Sequence, residues 1–129
     1  MIGGELQQAI YAALVAGSIA GGRIYDRVPA GAMFPYVTIG DEQVLDDGSE
    51  CMDAWEVISD VHVWSRPDGG SKLELKALVA EIVPRLATTL TVSGFRTVVG
   101  DMQTVRSFRD PDGLTEHAVL SFRFLIDPA

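Results

Sequence analysis

The segment Trp-Glu-Val-Ile-Ser-Asp-Val-His-Val-Trp-Ser at residues 55–65 constrains the fold more than any other. Trp55, Val57, Val61 and Val63 alternate with Glu56, Asp60 and His62. That period of two marks a strand with one buried and one polar face. Trp55 and Trp64 fall on opposite faces by parity. One belongs to the core; the other is a candidate contact anchor unless a covering helix buries it too.

A second alternation closes the chain over about residues 115–126. Ala118, Leu120, Phe122, Phe124 and Ile126 alternate with His117, Ser121 and Arg123. Before it, residues 95–108 read as extended, broken at Gly100-Asp101, and Asp110-Pro111-Asp112-Gly113 joins the two as a hairpin turn. A strand is expected at residues 36–44, because Phe34-Pro35 pushes the chain toward extended conformations. Ile24-Tyr25 reads as a short strand-like entry, and Pro29 and Gly31 forbid a helix between.

Two helices complete the pattern. Ile2, Leu6, Ile10, Ala13 and Leu14 recur at helical spacing, which predicts a helix over about residues 4–16 with Gly17 as its stop. Ser71 and Glu74 have capping-box spacing. Leu75, Leu78, Val79, Ile82, Val83 and Leu86 follow on one stripe, and Pro84 predicts a kink or an early end. The expected architecture is α+β. It is one domain over residues 1–129, a mainly antiparallel or mixed sheet of about four to five strands with two helices packed on it.

The 129 residues suffice to bury roughly two-thirds of the unfolded surface, so the core needs no disulfide or metal. With Cys51 as the single cysteine, no disulfide within the chain is possible. No Lys or Arg precedes Arg23, so the apolar start reads as an amphipathic helix rather than a signal peptide. No run of 18 apolar residues occurs, so no membrane span is expected.

The net charge is −8, and its placement is uneven. Residues 28–65 hold Asp41, Glu42, Asp46, Asp47, Glu50, Asp53, Glu56 and Asp60 and no Lys or Arg. The remaining ten acids balance ten bases. Duplex binding wants a basic stripe, which this chain lacks.

Searches for chemistry return little. His62 and His117 are the only histidines, and both read as half-exposed sheet residues without metal-ligand spacing. An EF-hand frame centred on Gly48 places Gln43, Leu45 and Ala54 where oxygen ligands belong, and fails. Cys51 sits among Glu50 and Asp53, which blunts a thiol. No nucleophile elbow or phosphate loop is present. No catalytic, metal or cofactor residue is assigned.

Four segments carry a resemblance: Ile24-Tyr25-Asp26-x-Val28-Pro29, Phe34-Pro35-Tyr36-Val37-x-Ile39-Gly40, Val61-His62-Val63-Trp64-Ser65, and the strand from His117 through Phe122 and Phe124. In that order the chain resembles the tail-completion or tail-terminator family of long-tailed phages, prophages and gene transfer agents. The resemblance implies a structural virion protein, assembled in the bacterial host cytoplasm. It implies a homohexameric ring on the head-proximal end of the tail tube that stops polymerisation and offers a surface to the head-side connector or stopper protein. DNA would pass through the lumen without specific binding. Two alternatives stay open: another connector of the neck, and a non-catalytic acidic adaptor that binds a basic partner. A closing ring needs two different contact surfaces on each subunit. The acidic arm (Asp41, Glu42, Asp46, Asp47, Glu50 and Asp53) against Arg106 and Arg109 of the next subunit is the expected pair.

Overall fold

Both helical stripes and both long alternations are satisfied by one apolar layer. The structure, a computed structural model, describes residues 2–48 and 54–128. Helix α1 spans Gly4–Ala16 and buries Leu6, Ile10 and Leu14. The Glu5 carboxylate accepts the Gly3 N–H at 2.8 Å, and its own amide and that of Gly3 hold its pKa below the usual carboxylate range. A turn of 3-10 helix at Ile19–Gly22 leads into β1, Ile24–Tyr25. Strands β2 (Tyr36–Asp46) and β3 (Trp55–Ser65) follow, then helix α2 (Leu73–Leu86). Strands β4 (Thr89–Leu90), β5 (Phe95–Arg109) and β6 (Glu116–Pro128) complete the chain.

The six strands form one sheet in the order β1-β2-β3-β6-β5-β4. All neighbours are antiparallel except β1 and β2, so the sheet is mixed. The count exceeds the expected four to five because β4 has two residues, too few to show a period. The central β3–β6 pair is in continuous register from Trp55↔Ile126 to Ser65↔Glu116. Its fully enclosed apolar positions are Val57, Val61 and Val63 against Ala118, Leu120, Phe122 and Phe124, all at 0% exposure. Leu75, Ile82 and Leu86 of α2 and the α1 stripe close over that same face. Burying such side chains contributes about 1.5–3 kcal/mol each.

Three local expectations are corrected. The capping box does not form. Helix α2 starts at Leu73, Ser71 Oγ accepts the Leu73 N–H at 3.2 Å, and Glu74 instead accepts the Ser65 hydroxyl at 2.7 Å. A nearby buried hydroxyl competes with the helix end for the glutamate. Pro84 does not end α2, which continues to Leu86, and the Ala87 N–H still reaches Val83 O at 2.8 Å. So late in a helix, proline removes one bond and leaves little helix to disrupt.

Strand β5 is not broken at Gly100-Asp101, where Gly100↔Phe124 and Asp101↔Arg123 stay in register. The irregularities lie between Phe95 and Thr97 and between Met102 and Thr104. Gly100 is needed for close approach instead. A Cβ there would strike the Leu86 carbonyl, and the Gly100 N–H donates to Thr88 O at 2.8 Å.

No helix among the described residues is long and apolar enough to cross a membrane. The return of the acidic arm, with Glu50, Cys51 and Asp53, lies outside the described residues.

Candidate interaction surface

The sheet face opposite the helices carries a row of rings. Parity puts Tyr36, Trp64, His117 and Phe108 on this face, and register puts them side by side: Tyr36↔Trp64, Trp64↔His117, Phe108↔His117. Ring centroids are 6.2 Å apart for Tyr36–Trp64, 3.7 Å for Trp64–His117 and 4.8 Å for Phe108–His117. Tyr25 and Phe34 extend the row past Tyr36, at 5.9 and 5.0 Å. A guanidinium stands at each end: Arg66 lies 4.6 Å from the Phe34 centroid and Arg106 5.6 Å from that of Phe108. A guanidinium over a ring face is attracted by the negative charge that the ring quadrupole puts there. Burial pushes the Tyr36 phenol up.

Polar bonds lock the row. Trp64 Nε1 donates to Thr38 Oγ1 at 3.1 Å. His62 Nδ1 and His117 Nε2 are 2.8 Å apart, and His117 Nδ1 is 3.3 Å from Asp110 Oδ1. With His117 Nδ1–H facing the carboxylate, its Nε2 accepts from His62 Nδ1–H. Burial pushes the His117 pKa down, and the neighbouring His62 adds to this while Asp110 opposes it. A Cβ at Gly40 would come within 2.7 Å of the His62 ring, so glycine there makes room for the imidazole. His117 is buried rather than half-exposed as expected, because Trp64, Phe108 and His62 cover it.

This arrangement is rigid and chemically quiet. The histidines bond to each other and stack on neighbours. The rings also cover one another's faces, so they offer no platform for stacked bases. Among the described residues no group of three or more His, Cys, Asp or Glu is placed to hold a metal. An open cleft of about 560 Å³ lies at the hairpin end, between Arg66, Gly69, Arg109 and Leu114.

The residues expected to form the interface lie in three places. Asp41, Glu42, Asp46 and Asp47 are exposed along the distal half of β2 and just beyond it, with Glu42 pushed up by burial. Glu50 and Asp53 fall outside the described residues. Arg106 is exposed on β5 at the opposite edge of the sheet. Arg109 is engaged within its own chain. Its Nε donates to Glu116 Oε1 at 2.6 Å and its Nη2 to Gly70 O at 3.2 Å. Glu116 is fully buried, and among the described residues its Oε2 has no partner and Arg109 is its one counter-charge.

Asp46 pairs with Trp55 at one end of β3 and Arg109 aligns through Glu116 with Ser65 at the other. Ten strand steps, about 33 Å, separate those ends. Asp46 and Arg109 cannot meet within one chain.

Sequence reasoning put the two tryptophans on opposite faces by parity and left open whether helix cover buries both. Trp55 packs on the core and Trp64 faces away. It missed the row itself, whose only signal was that Tyr36, Trp64 and His117 share off-core parity.

A sheet clad on one side, with its distinctive side chains stacked on one another, defines a subunit that works through contact surfaces. The chain belongs to the tail completion protein gp17 family, whose description matches residues 8–127. It is 26% identical over 95 residues to the tail completion protein gp17 of Bacillus phage SPP1, covering 73% of this chain and 69% of that one. Its fold matches a chain in the virion of a native gene transfer agent particle with a TM-score of 0.83 and 25% identity, over 96% of each chain. It is a structural, non-catalytic tail protein of a virion.

Proposed function

We propose that this subunit closes into a ring, in the hexameric form, on the head-proximal end of the tail tube. There it stops tube growth and presents a surface to the head-side connector. The observation that carries this reading is the placement of charge. Asp41 and Glu42 lie on β2 beyond the two residues that β1 covers, and Arg106 lies on β5 beyond the two that β4 covers, toward opposite sides of the sheet. Two different, mutually attractive edges on one subunit make a head-to-tail contact, the kind that generates a ring when its rotation closes. The charges steer encounter and reject wrong registers more than they supply affinity. The acidic arm, wherever it borders the lumen, lets DNA pass without adhering.

Purified subunit mixed with purified tail tubes tests the reading. Caps at one tube end, with no further elongation, are the expected result by electron microscopy. Binding only to heads assigns the subunit to the neck instead, and binding to neither leaves the acidic-adaptor reading.

A further inference from the structure

Resting on the ring reading, we infer that neighbouring subunits join by main-chain pairing between the outer edge of β5 and the outer edge of β2 of a second copy. Both edges are open among the described residues. Strand β1 pairs only with Val37 and Thr38, which frees β2 from Ile39 onward. Strand β4 pairs only with Val98 and Val99, and Gly100 is satisfied by Thr88, which frees β5 from Asp101 onward. Open edges of this length invite another strand, and proteins that do not use them usually block them.

The two edges match in direction, and they overlap over residues 39–43 and residues 101–105, between the stretches that β1 and β4 already cover. Three antiparallel pairings separate β2 from β5, so the two run in opposite directions. Copies set side by side with parallel axes bring them together antiparallel. Ile39, Val61, Leu120 and Val105 form one row across the sheet. Glu42, Ser59, Phe122 and Met102 form another. Between those rows the inner strands carry one residue each, Asp60 and Ser121, while each outer strand carries two: Gly40-Asp41 on β2 and Thr104-Gln103 on β5. Both edges therefore bulge over the same rows. At equal height Val105 meets Ile39, Thr104 meets Gly40, Gln103 meets Asp41 and Met102 meets Glu42.

Side chains agree with this register. Val105 and Met102 share the helix-side face with Leu120 and Phe122, yet are 38% and 42% exposed because no helix reaches them. On the same side of the β2 edge lies a cleft of about 310 Å³ between Gly4, Gln7, Gln8, Tyr11, Asp26 and Ile39. Val105 of one copy enters that cleft in another, while Arg106 on the opposite face comes within side-chain reach of Asp41. The occupant of each edge is thus a second copy of this chain.

A double variant, Asp41→Cys with Gln103→Cys in a Cys51→Ser background, tests this on tube-bound protein. Mild oxidation is expected to give a ladder of covalent multimers of this chain, and the pair Asp46→Cys with Gln103→Cys to give none. Val105→Asp is expected to raise the concentration for half-maximal capping by at least about ten-fold, a change of 1.4 kcal/mol. Val105→Ile is expected to keep it, with both variants checked for native circular dichroism. Caps that form normally with Val105→Asp and yield no 41–103 cross-links overturn the edge pairing and leave the ring standing. Cross-links to the tube protein overturn the choice of occupant. Wild-type protein that never caps tubes removes both readings.

Discussion

The two faces of this sheet are built by the same strands for different ends. The helix-covered face is aliphatic and phenylalanine-rich, with Val61, Leu120 and Phe122 excluded from solvent. The open face is aromatic, imidazole and arginine, held by stacking and by bonds such as Trp64 to Thr38. One period of two serves both, because alternate residues of β3 and β6 report to opposite sides. The difference teaches that burial on this protein has two origins: one from the chain's own helices, the other from rings shielding one another in a single exposed layer.

Truncation separates the two most sharply. Phe122→Ala is expected to cost about 3–5 kcal/mol of unfolding free energy, since a fully enclosed ring leaves a cavity. Trp64→Ala is expected to cost less, about 1–3 kcal/mol, since its neighbours can settle outward into solvent. Urea denaturation of both measures this; equal losses would erase the distinction between the faces.

The two arginines of the last hairpin give a smaller contrast. Arg109→Ala strips the buried Glu116 of its partner and is expected to cost about 1–2 kcal/mol, reduced by the half-exposure of the guanidinium. Arg106→Ala is expected to stay within about 0.5 kcal/mol. On the proposed ring the order reverses for assembly: Arg106→Glu is expected to impair capping with little loss of stability, which thermal melts alongside capping counts would reveal. A combined reversal with Arg109 would confuse folding with assembly.

Proton linkage is the finest test. His117 has a folded pKa below its ordinary 6.5, so the folded state binds fewer protons than the unfolded chain. Stability is then expected to fall as pH drops from 6.5 toward the depressed folded value, and His117→Phe is expected to flatten that slope. Asp112 behaves in a separate window. The Leu114 and Thr115 amides, the Thr115 hydroxyl and Arg66 hold its carboxyl down to about 2 from 3.8. Its contribution is present above 3.8 and is lost as pH falls through about 2, so Asp112→Asn should lessen the acid sensitivity there.

Much of the fold is legible in the chain because it is periodic. Leu6, Ile10 and Leu14 mark α1, and Val57, Val61 and Val63 mark β3, without reference to anything distant. What is hidden depends on register. That Trp64 meets His117, or that Val105 shares a row with Ile39, follows from pairings between segments far apart in sequence, and no local pattern encodes them. Gly100 shows the same limit. Read locally it breaks a strand; in the fold it admits the end of a helix. Glu74 likewise has the spacing of a cap but is drawn to Ser65.

Carboxylates gather toward the Asp46 end of the strands, while the Arg66 and Arg109 end is close to neutral. Each subunit is therefore an electric dipole directed along its strands. Copies placed around an axis with strands aligned add these dipoles instead of cancelling them. In the proposed ring, such a collar would have one strongly negative rim and one weakly charged rim, told apart at a distance by whatever approaches from either side.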